Sequence, residues 1–325
     1  MRISVGIIAN PVSGRDVRRV AARGGVSTAE DKRNRISRAV IGAVTAGANH
    51  IIAMQEPFQI ATGALADLNV DAELEILDVG ANVSPLDTAK AAQAMRNRGV
   101  SVLITLGGDG TNRTIAKVWP DVTLVPMSTG TNNVFPSLVE PTVAGAAAGL
   151  VASGIADLET VAPKSKMIHI QLANSRSDIA LIDAATLVDD FAGNKMPVKP
   201  LSLRQLVVSQ ARPDTIGVSS IVGLLQRCET KDDFALMATC GPGGKLIKAP
   251  VAPGLYQRVP VLGVQRVGLS EPISLLQNTV LAFDGDREHL IGPTDQVTAR
   301  VERDGPRVVN VSAALTQGAE RGAFS

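Results

Sequence analysis

The chain has 325 residues, 45% hydrophobic and 2% aromatic, so it can bury a large core, and beyond about 250–300 residues such a core usually divides between two domains. The 32 Lys and Arg nearly balance the 31 Asp and Glu, for a formal net charge of +1, which argues against a general nucleic-acid or membrane-surface binder. One Trp and one Tyr cannot build base-stacking platforms, so nucleic acid is not an expected partner.

The start "MRISVGIIAN" has one basic residue and no small-residue cleavage site, and it reads as a first strand. After a basic connection, Ile36, Ala39, Val40, Ala43 and Val44 recur at helical spacing. "HIIAM" (50–54) is the next strand and "EPFQIATGALADL" (56–68) the next helix. "AELEILDV" (72–79) leads into "SPLDTAKAAQAMRNRG" (84–99). There Ser84 suits an N-cap, Pro85 the first helical position, Asp87 a capping-box partner and Gly99 the stop. "VSVLITL" (100–106) and "VTLVPM" (122–127) are strands separated by a short helix over 111–118. Repeated βα units with apolar strands predict a parallel sheet covered on both faces.

After about residue 140 an Ala- and Gly-rich helix, 142–153, leads into alternating segments such as "MIHIQLA". "DFALMATC" and "KLIKAPV" are expected to flank a turn at 241–244. "TVLAFDGDREHLI" and "VTARVERDGPRVVNV" each carry an Asp-Gly hairpin signal. This half reads as an antiparallel β domain, giving domains at 1–139 and 140–311 with a tail, about 312–325, that frays or docks back on the first. The weakly polar run 143–156 falls short of the roughly 18 residues of a membrane span. Cys228 and Cys240 are too few for a CxxC site and read as buried thiols. A cytoplasmic location, a homo-oligomeric assembly and no membrane span are the expectations.

Ligands of an open parallel sheet bind outside the carboxyl ends of its strands. Three loops are expected there: "ANPVSGR", "GGDGTNR" and "STGTNN", each rich in backbone N–H groups, small residues, hydroxyls and amides suited to phosphate oxygens. Asp109 is the exception, because a carboxylate inside a phosphate cradle repels its ligand unless it helps hold Mg²⁺ or accepts the proton of an attacking hydroxyl. The plainer alternative is a cap on the helix that starts near Thr111. The basic run Arg15, Arg18, Arg19, Arg23, Lys32, Arg33, Arg35 and Arg38 reads mainly as a solvated helix face, with Arg15 nearest a phosphate. Arg113 either reaches a phosphate or forms a surface ion pair. Asp189 and Asp190 read as a strand end, and His50, His169 and His289 show no zinc or triad spacing.

The set "IANPVSGRD", "TLGGDGTNR", "MSTGTNNVFP" and "LAFDGDRE" resembles the superfamily of NAD kinases, diacylglycerol kinases and sphingosine kinases, and most of all the AcoX-like branch of the ATP-NAD kinase family, associated with acetoin catabolism. The resemblance implies a Rossmann-like N-terminal domain, a second antiparallel β-sandwich domain and a nucleotide cleft between them, with ATP and Mg²⁺ as cofactors and a small-molecule acceptor, NAD foremost. It implies that Gly107, Gly108, Gly110 and Thr111 wrap the donor phosphates and that Asp109 is the catalytic or metal-organising acid. Asn10, Ser13 and Gly14, with Thr129, Gly130, Thr131, Asn132 and Asn133, would line the nucleotide site, Asn133 standing where relatives carry an acid. Asp284 and Asp286 match a late Asp-Gly-Glu or Asp-Gly-Gln element and would join an acceptor or metal network. Ile182 and Asp183 stand where NAD kinases carry an Asn-Glu pair, so an amide that would contact the dinucleotide is missing. A lipid or sphingoid-base kinase and a non-catalytic nucleotide sensor are the alternatives.

Overall fold

The computed structural model describes residues 2–14, 22–25, 27–80, 84–129 and 133–325. The first half alternates β1 (Ser4–Ala9), α1 (Ala29–Thr45), β2 (His50–Met54), α2 (Ile60–Ala66), β3 (Glu73–Leu77), α3 (Pro85–Asn97), β4 (Val102–Gly107), α4 (Asp109–Val118), β5 (Thr123–Ser128) and α5 (Pro141–Ala152). Successive strand residues point to opposite faces, so Ile7, Ile51 and Ile104 pack under α1, α2 and α5. Ile8, Ile52 and Leu103 pack under α3 and α4. This double covering explains why β1, β4 and β5 are buried along their whole length. Ser84 and Asp87 form the expected capping box on α3.

Helices α1 and α5 meet backbone to backbone. A Cβ on Gly145 would lie 1.9 Å from the Ala39 carbonyl oxygen, and one on Gly42 would lie 2.0 Å from that of Thr142. The small residues of α5, read in the sequence only as an Ala/Gly run, therefore set the distance between the two helices.

The second half follows α6 (Leu158–Val161) with β6 (Met167–Gln171), β7 (Ser177–Ala180), β8 (Asp183–Leu187), β9 (Leu203–Val208), α7 (Ser219–Gly223), β10 (Phe234–Ala252), β11 (Leu255–Gly268), β12 (Ile273–Ser274), β13 (Thr279–Phe283), β14 (Asp286–Ile291) and β15 (Thr298–Glu302). One antiparallel sheet has the order β11-β10-β9-β8-β13-β14 and the other β12-β15-β6-β7. Ile168, Ile170 and Val301 of the smaller sheet share a core with Val207, Leu281 and Phe283 of the larger. A parallel α/β layer followed by antiparallel sheets is the predicted fold class. The chain then returns: β16 (Arg307–Val308) pairs parallel with β5, giving the order β16-β5-β4-β1-β2-β3, and α8 (Val311–Glu320) packs on α5, where Gly318 faces Leu150.

Two turn expectations are corrected. Residues 241–244 do not turn a hairpin; β10 runs through them, with Cys240 and Lys245 both registering on Val261. Gly241 and Gly243, at φ 153° and 86°, absorb the extra residues as a bulge, and the hairpin turns at Pro253 and Gly254 instead. Asp304 and Gly305 do not join two paired strands either, because β15 pairs with β6 while β16 belongs to the parallel sheet. An Asp-Gly step encodes a reversal only where both flanking strands prefer each other. Asp284 and Gly285 meet that condition as a two-residue turn with φ 49° and 85°. Cys228 and Cys240 are free and buried. Among the described residues no helix is long and apolar enough to cross a membrane.

Replacing Gly145 with Ala gains about 1 kcal/mol of helix propensity, but the added methyl collides with backbone, and overpacking of this kind costs about 1–3 kcal/mol. Gly145→Ala is therefore expected to lower the midpoint of denaturant unfolding; an unchanged or raised midpoint would show that α1 and α5 separate without cost.

Candidate active site in the cleft between the sheets

Strands β5, β4 and β1 are neighbours, so the loops leaving their carboxyl ends share one rim. Four contacts tie them together. The Asn10 N–H donates to the Leu106 carbonyl at 2.9 Å, and Asn10 Nδ2 donates to Thr111 Oγ1 at 2.9 Å. The Thr129 N–H donates to the Gly107 carbonyl at 3.2 Å, and the hydroxyls of Ser13 and Thr129 share a bond of 2.7 Å. Asn10 Oδ1 accepts from the N–H groups of Val12 and Ser13, which curls the first loop. Gly14, at φ 73°, has no room for a side chain, since a Cβ would lie 2.4 Å from the Thr129 carbonyl oxygen. Asn133 Nδ2 donates to Ser128 Oγ at 2.6 Å. Gly130, Thr131, Asn132 and Arg15 lie outside the described residues.

Lys32 corrects the reading of the basic run as a solvated face. It is fully buried, and its Nζ donates to the carbonyls of Asn10, Pro11 and Ser13 at 2.8, 3.0 and 2.9 Å. Three carbonyls turned inward onto one ammonium fix the path of the first loop. The sequence held a signal for this: position 32 lies on the helical stripe of Ile36, Ala39 and Ala43.

The three loops line a cleft of about 510 Å³ whose opposite wall includes Lys195, Asp284, Asp286 and Glu288. Asp109 is the first residue of α4 and is buried, yet it does not cap its own helix. Its Oδ1 accepts from the N–H groups of Val134 and Phe135 at 3.1 and 2.9 Å, holding the far end of the third loop. Gly108 caps α4 without a side-chain bond. A Cβ on Gly110 would lie 3.3 Å from Asp286 Oδ2, which places the β13–β14 turn across from the glycine motif.

Asp284 and Asp183 behave differently from a paired metal site. The Asp284 carboxylate accepts from the N–H groups of Leu181, Ile182 and Asp183 at 3.0, 2.8 and 3.2 Å, and Arg113 Nε stands 3.7 Å away. It is held inside the protein, and burial pushes its carboxyl up despite Arg113 and those N–H groups. Arg113 is not at the surface; it is buried and lines the cleft. It pairs with Asp284 and Glu288 and lies 5.5 Å from the Phe283 ring centroid. Burial pulls its pKa down, but the two carboxylates more than offset this and keep it charged. Asp286 faces Lys195 at 3.1 Å. Ile182 packs in the core under the parallel sheet and lines neither cavity described in this section.

Asp183 and Asp284, together with Asp109 and Arg287, line a second cavity of about 40 Å³. Asp109 and Asp284 thus belong to the walls of both cavities. The Asp183 carboxyl is pushed well above the usual range by burial, then by the charges of Asp284 and Asp109. Arg287 was not singled out from the sequence. No local pattern marks a β-strand arginine that turns inward to Asp190, 3.1 Å away.

A raised pKa means that the folded protein binds a proton that the unfolded chain releases, so stability falls as pH rises above the unfolded value of about 3.9. Asp183→Asn removes that loss. It is expected to raise Tm at neutral pH, with a gain that shrinks towards zero as the pH approaches 4; thermal unfolding of both proteins across pH 4–8 checks this, and a gain independent of pH would contradict the assignment.

Residues 5–155 match the ATP-NAD kinase N-terminal domain, and residues 166–304 match the acetoin catabolism protein X C-terminal domain. Over 326 residues the sequence is 34% identical to acetoin catabolism protein X of Cupriavidus necator, covering 96% of this chain and 91% of that protein. Yeast NADH kinase, in its crystal structure with NADH, shares the fold at a TM-score of 0.50 and 13% identity, covering 99% of this chain and 88% of that one. The junction between the two matched segments falls where α6 leads into the antiparallel sheets, and by its sequence and by its fold the chain belongs to the acetoin catabolism protein X branch of the ATP-NAD kinase family.

Proposed function

We propose that the chain is an ATP-dependent phosphotransferase that binds the nucleotide triphosphate with Mg²⁺ in the large cleft and passes its γ-phosphoryl group to the hydroxyl of a small molecule. The observation that carries the reading is the position of Asp109, which shares with Asp284 the walls of both the loop-lined cleft and the smaller cavity but, unlike Asp284, is not paired with Arg113. A proton acceptor in phosphoryl transfer must stand between donor and acceptor.

The residues fit the phosphates. Gly14, Gly107, Gly108 and Gly110 keep side chains away from the rim, and the uncapped start of α4 offers N–H groups and a favourable dipole. They fit Mg²⁺ in a limited sense. Among the described residues no three His, Cys, Asp or Glu side chains cluster to hold a metal, but Mg²⁺ on a nucleotide needs only one or two carboxylates beside phosphates and water, and Asp286 lines the cleft opposite Gly110. When bound, ATP with Mg²⁺ supplies the phosphoryl group and neutralises charge on its oxygens. Asn10, Ser13, Thr111 and Thr129 hold the loops that orient it, and Lys32 holds the first loop from behind. The acceptor oxygen bonds to phosphorus as the bond to the nucleoside diphosphate breaks, and the hydroxyl proton passes to Asp109, with Asp183 adjoining.

NAD is the acceptor carried over from the ATP-NAD kinase match, and the name of the Cupriavidus relative supports a role connected with acetoin catabolism. Ile182, buried beneath the sheet, offers no amide to a ribose. ATP consumption with NAD, acetoin, glycerol lipids and sphingoid bases tests the reading; nucleotide binding without consumption in every mixture would instead favour a nucleotide sensor.

Asp109→Asn is expected to lower kcat by about 10²–10⁴-fold with retained folding, and unaltered turnover would reduce Asp109 to an anchor for Val134 and Phe135. Lys32→Met removes the grip on the first loop, and misplacement of about 1 Å costs up to about 100-fold. Steady-state kinetics should show kcat/KM for ATP falling about 10–100-fold while Asp109 chemistry stays intact; an unchanged kcat/KM would contradict the positioning role.

A further inference from the structure

The smaller cavity carries two buried polar atoms with no hydrogen-bond partner in the protein, Asp183 Oδ1 and Arg287 Nη2. Both residues are more than nine-tenths buried, at 5% and 4% exposure. The other donors of Arg287 are committed, Nε to Asp190 Oδ2 at 3.1 Å and Nη1 to the Met196 carbonyl at 2.7 Å. One acceptor and one donor thus remain in a cavity whose other walls include Val134, Pro197, Val198, Ile216, Val218 and Val251. Buried polar atoms are costly unless a ligand or water pairs with them.

Size and charge narrow the ligand. A water needs about 10–15 Å³ of such space, so 40 Å³ holds about three water-sized groups, far below the roughly 300–1,000 Å³ of a pocket for a drug-sized molecule. Asp190 balances the charge of Arg287 and burial presses Asp183 towards its neutral form, which favours a neutral occupant; the apolar walls favour methyl groups, and Met196, 43% exposed, opens the lining to solvent.

We propose that this cavity binds compact neutral hydroxycarbonyl compounds, the hydroxyl donating to Asp183 Oδ1 and the carbonyl accepting from Arg287 Nη2. The inference rests on the phosphotransfer reading only for the ligand's role as acceptor. In that role the hydroxyl oxygen forms the new bond to phosphorus, the bond to the nucleoside diphosphate breaks, and the proton passes to a carboxylate of the Asp109–Asp183 pair.

The test is calorimetric titration of the full chain, without nucleotide, by hydroxyacetone, acetone, 2-propanol and NAD. Hydroxyacetone should bind at least about tenfold more tightly than acetone or 2-propanol, each of which lacks one partner. In Arg287→Lys, which lacks the planar second donor, that preference should shrink. Equal binding of the three small compounds to the natural chain overturns the proposal, as does a crystal soaked in hydroxyacetone that shows only water between Asp183 and Arg287. Parallel ATP-consumption assays separate the two readings. Hydroxyacetone binding without ATP consumption upholds the cavity and overturns phosphotransfer; ATP consumption with NAD and no hydroxyacetone binding does the reverse.

Discussion

The Asp284 carboxylate is the hinge of the architecture. It sits in the tight turn between β13 and β14, accepts three consecutive backbone N–H groups ahead of β8, and faces Arg113 on α4 of the parallel layer. One fully buried group therefore joins the second half of the chain to the helix that begins at the glycine motif. A buried ion pair adds little net stability compared with apolar packing, but removing one partner costs about 3–5 kcal/mol because the other charge is stranded. Its contribution is orientation: Asp286 and Glu288 follow on the same strand and are held against the rim where the three loops converge.

A second chain of constraint runs through packing. The glycines that bring α1 and α5 into backbone contact set where α1 lies over the sheet. The first turn of α1 carries Lys32 to the carbonyls of the first loop. A buried ammonium is tolerated there because three carbonyls replace its water. The position of the first loop thus depends on close-packed small residues about two to three helical turns away, which joins the stability of the core to the geometry of the cleft.

Asp109 illustrates how one residue type satisfies structural and chemical demands together. Its carboxylate receives the N–H groups of Val134 and Phe135 from the loop beyond β5, and the same residue lines both cavities. Asp183 next to it is pressed towards its neutral form by burial and by like charges.

Local chemistry wrote much of this protein plainly. Apolar runs separated by helical stripes determined the parallel layer, Ser84, Pro85 and Asp87 determined the start of α3, and three glycines around Asp109 marked the rim of the sheet. Position 32 was also legible, on an apolar helical stripe, though its charge argued for solvent. What tertiary structure alone decided was partner choice. Asp284 with Gly285 and Asp304 with Gly305 are the same dipeptide, but only the first reverses between paired strands, because β15 pairs with β6 and β16 with β5. The glycines at 241–244 bulge because β10 stays paired with the long strand β11 on both sides of them. Asp183 on β8 and Arg287 on β14, a hundred residues apart in the chain, become cavity walls only when both strands flank β13 in one sheet. Backbone conformation follows from neighbours a few residues away, whereas strand pairing and burial depend on which distant surface wins the competition, and no short window of sequence contains that competition.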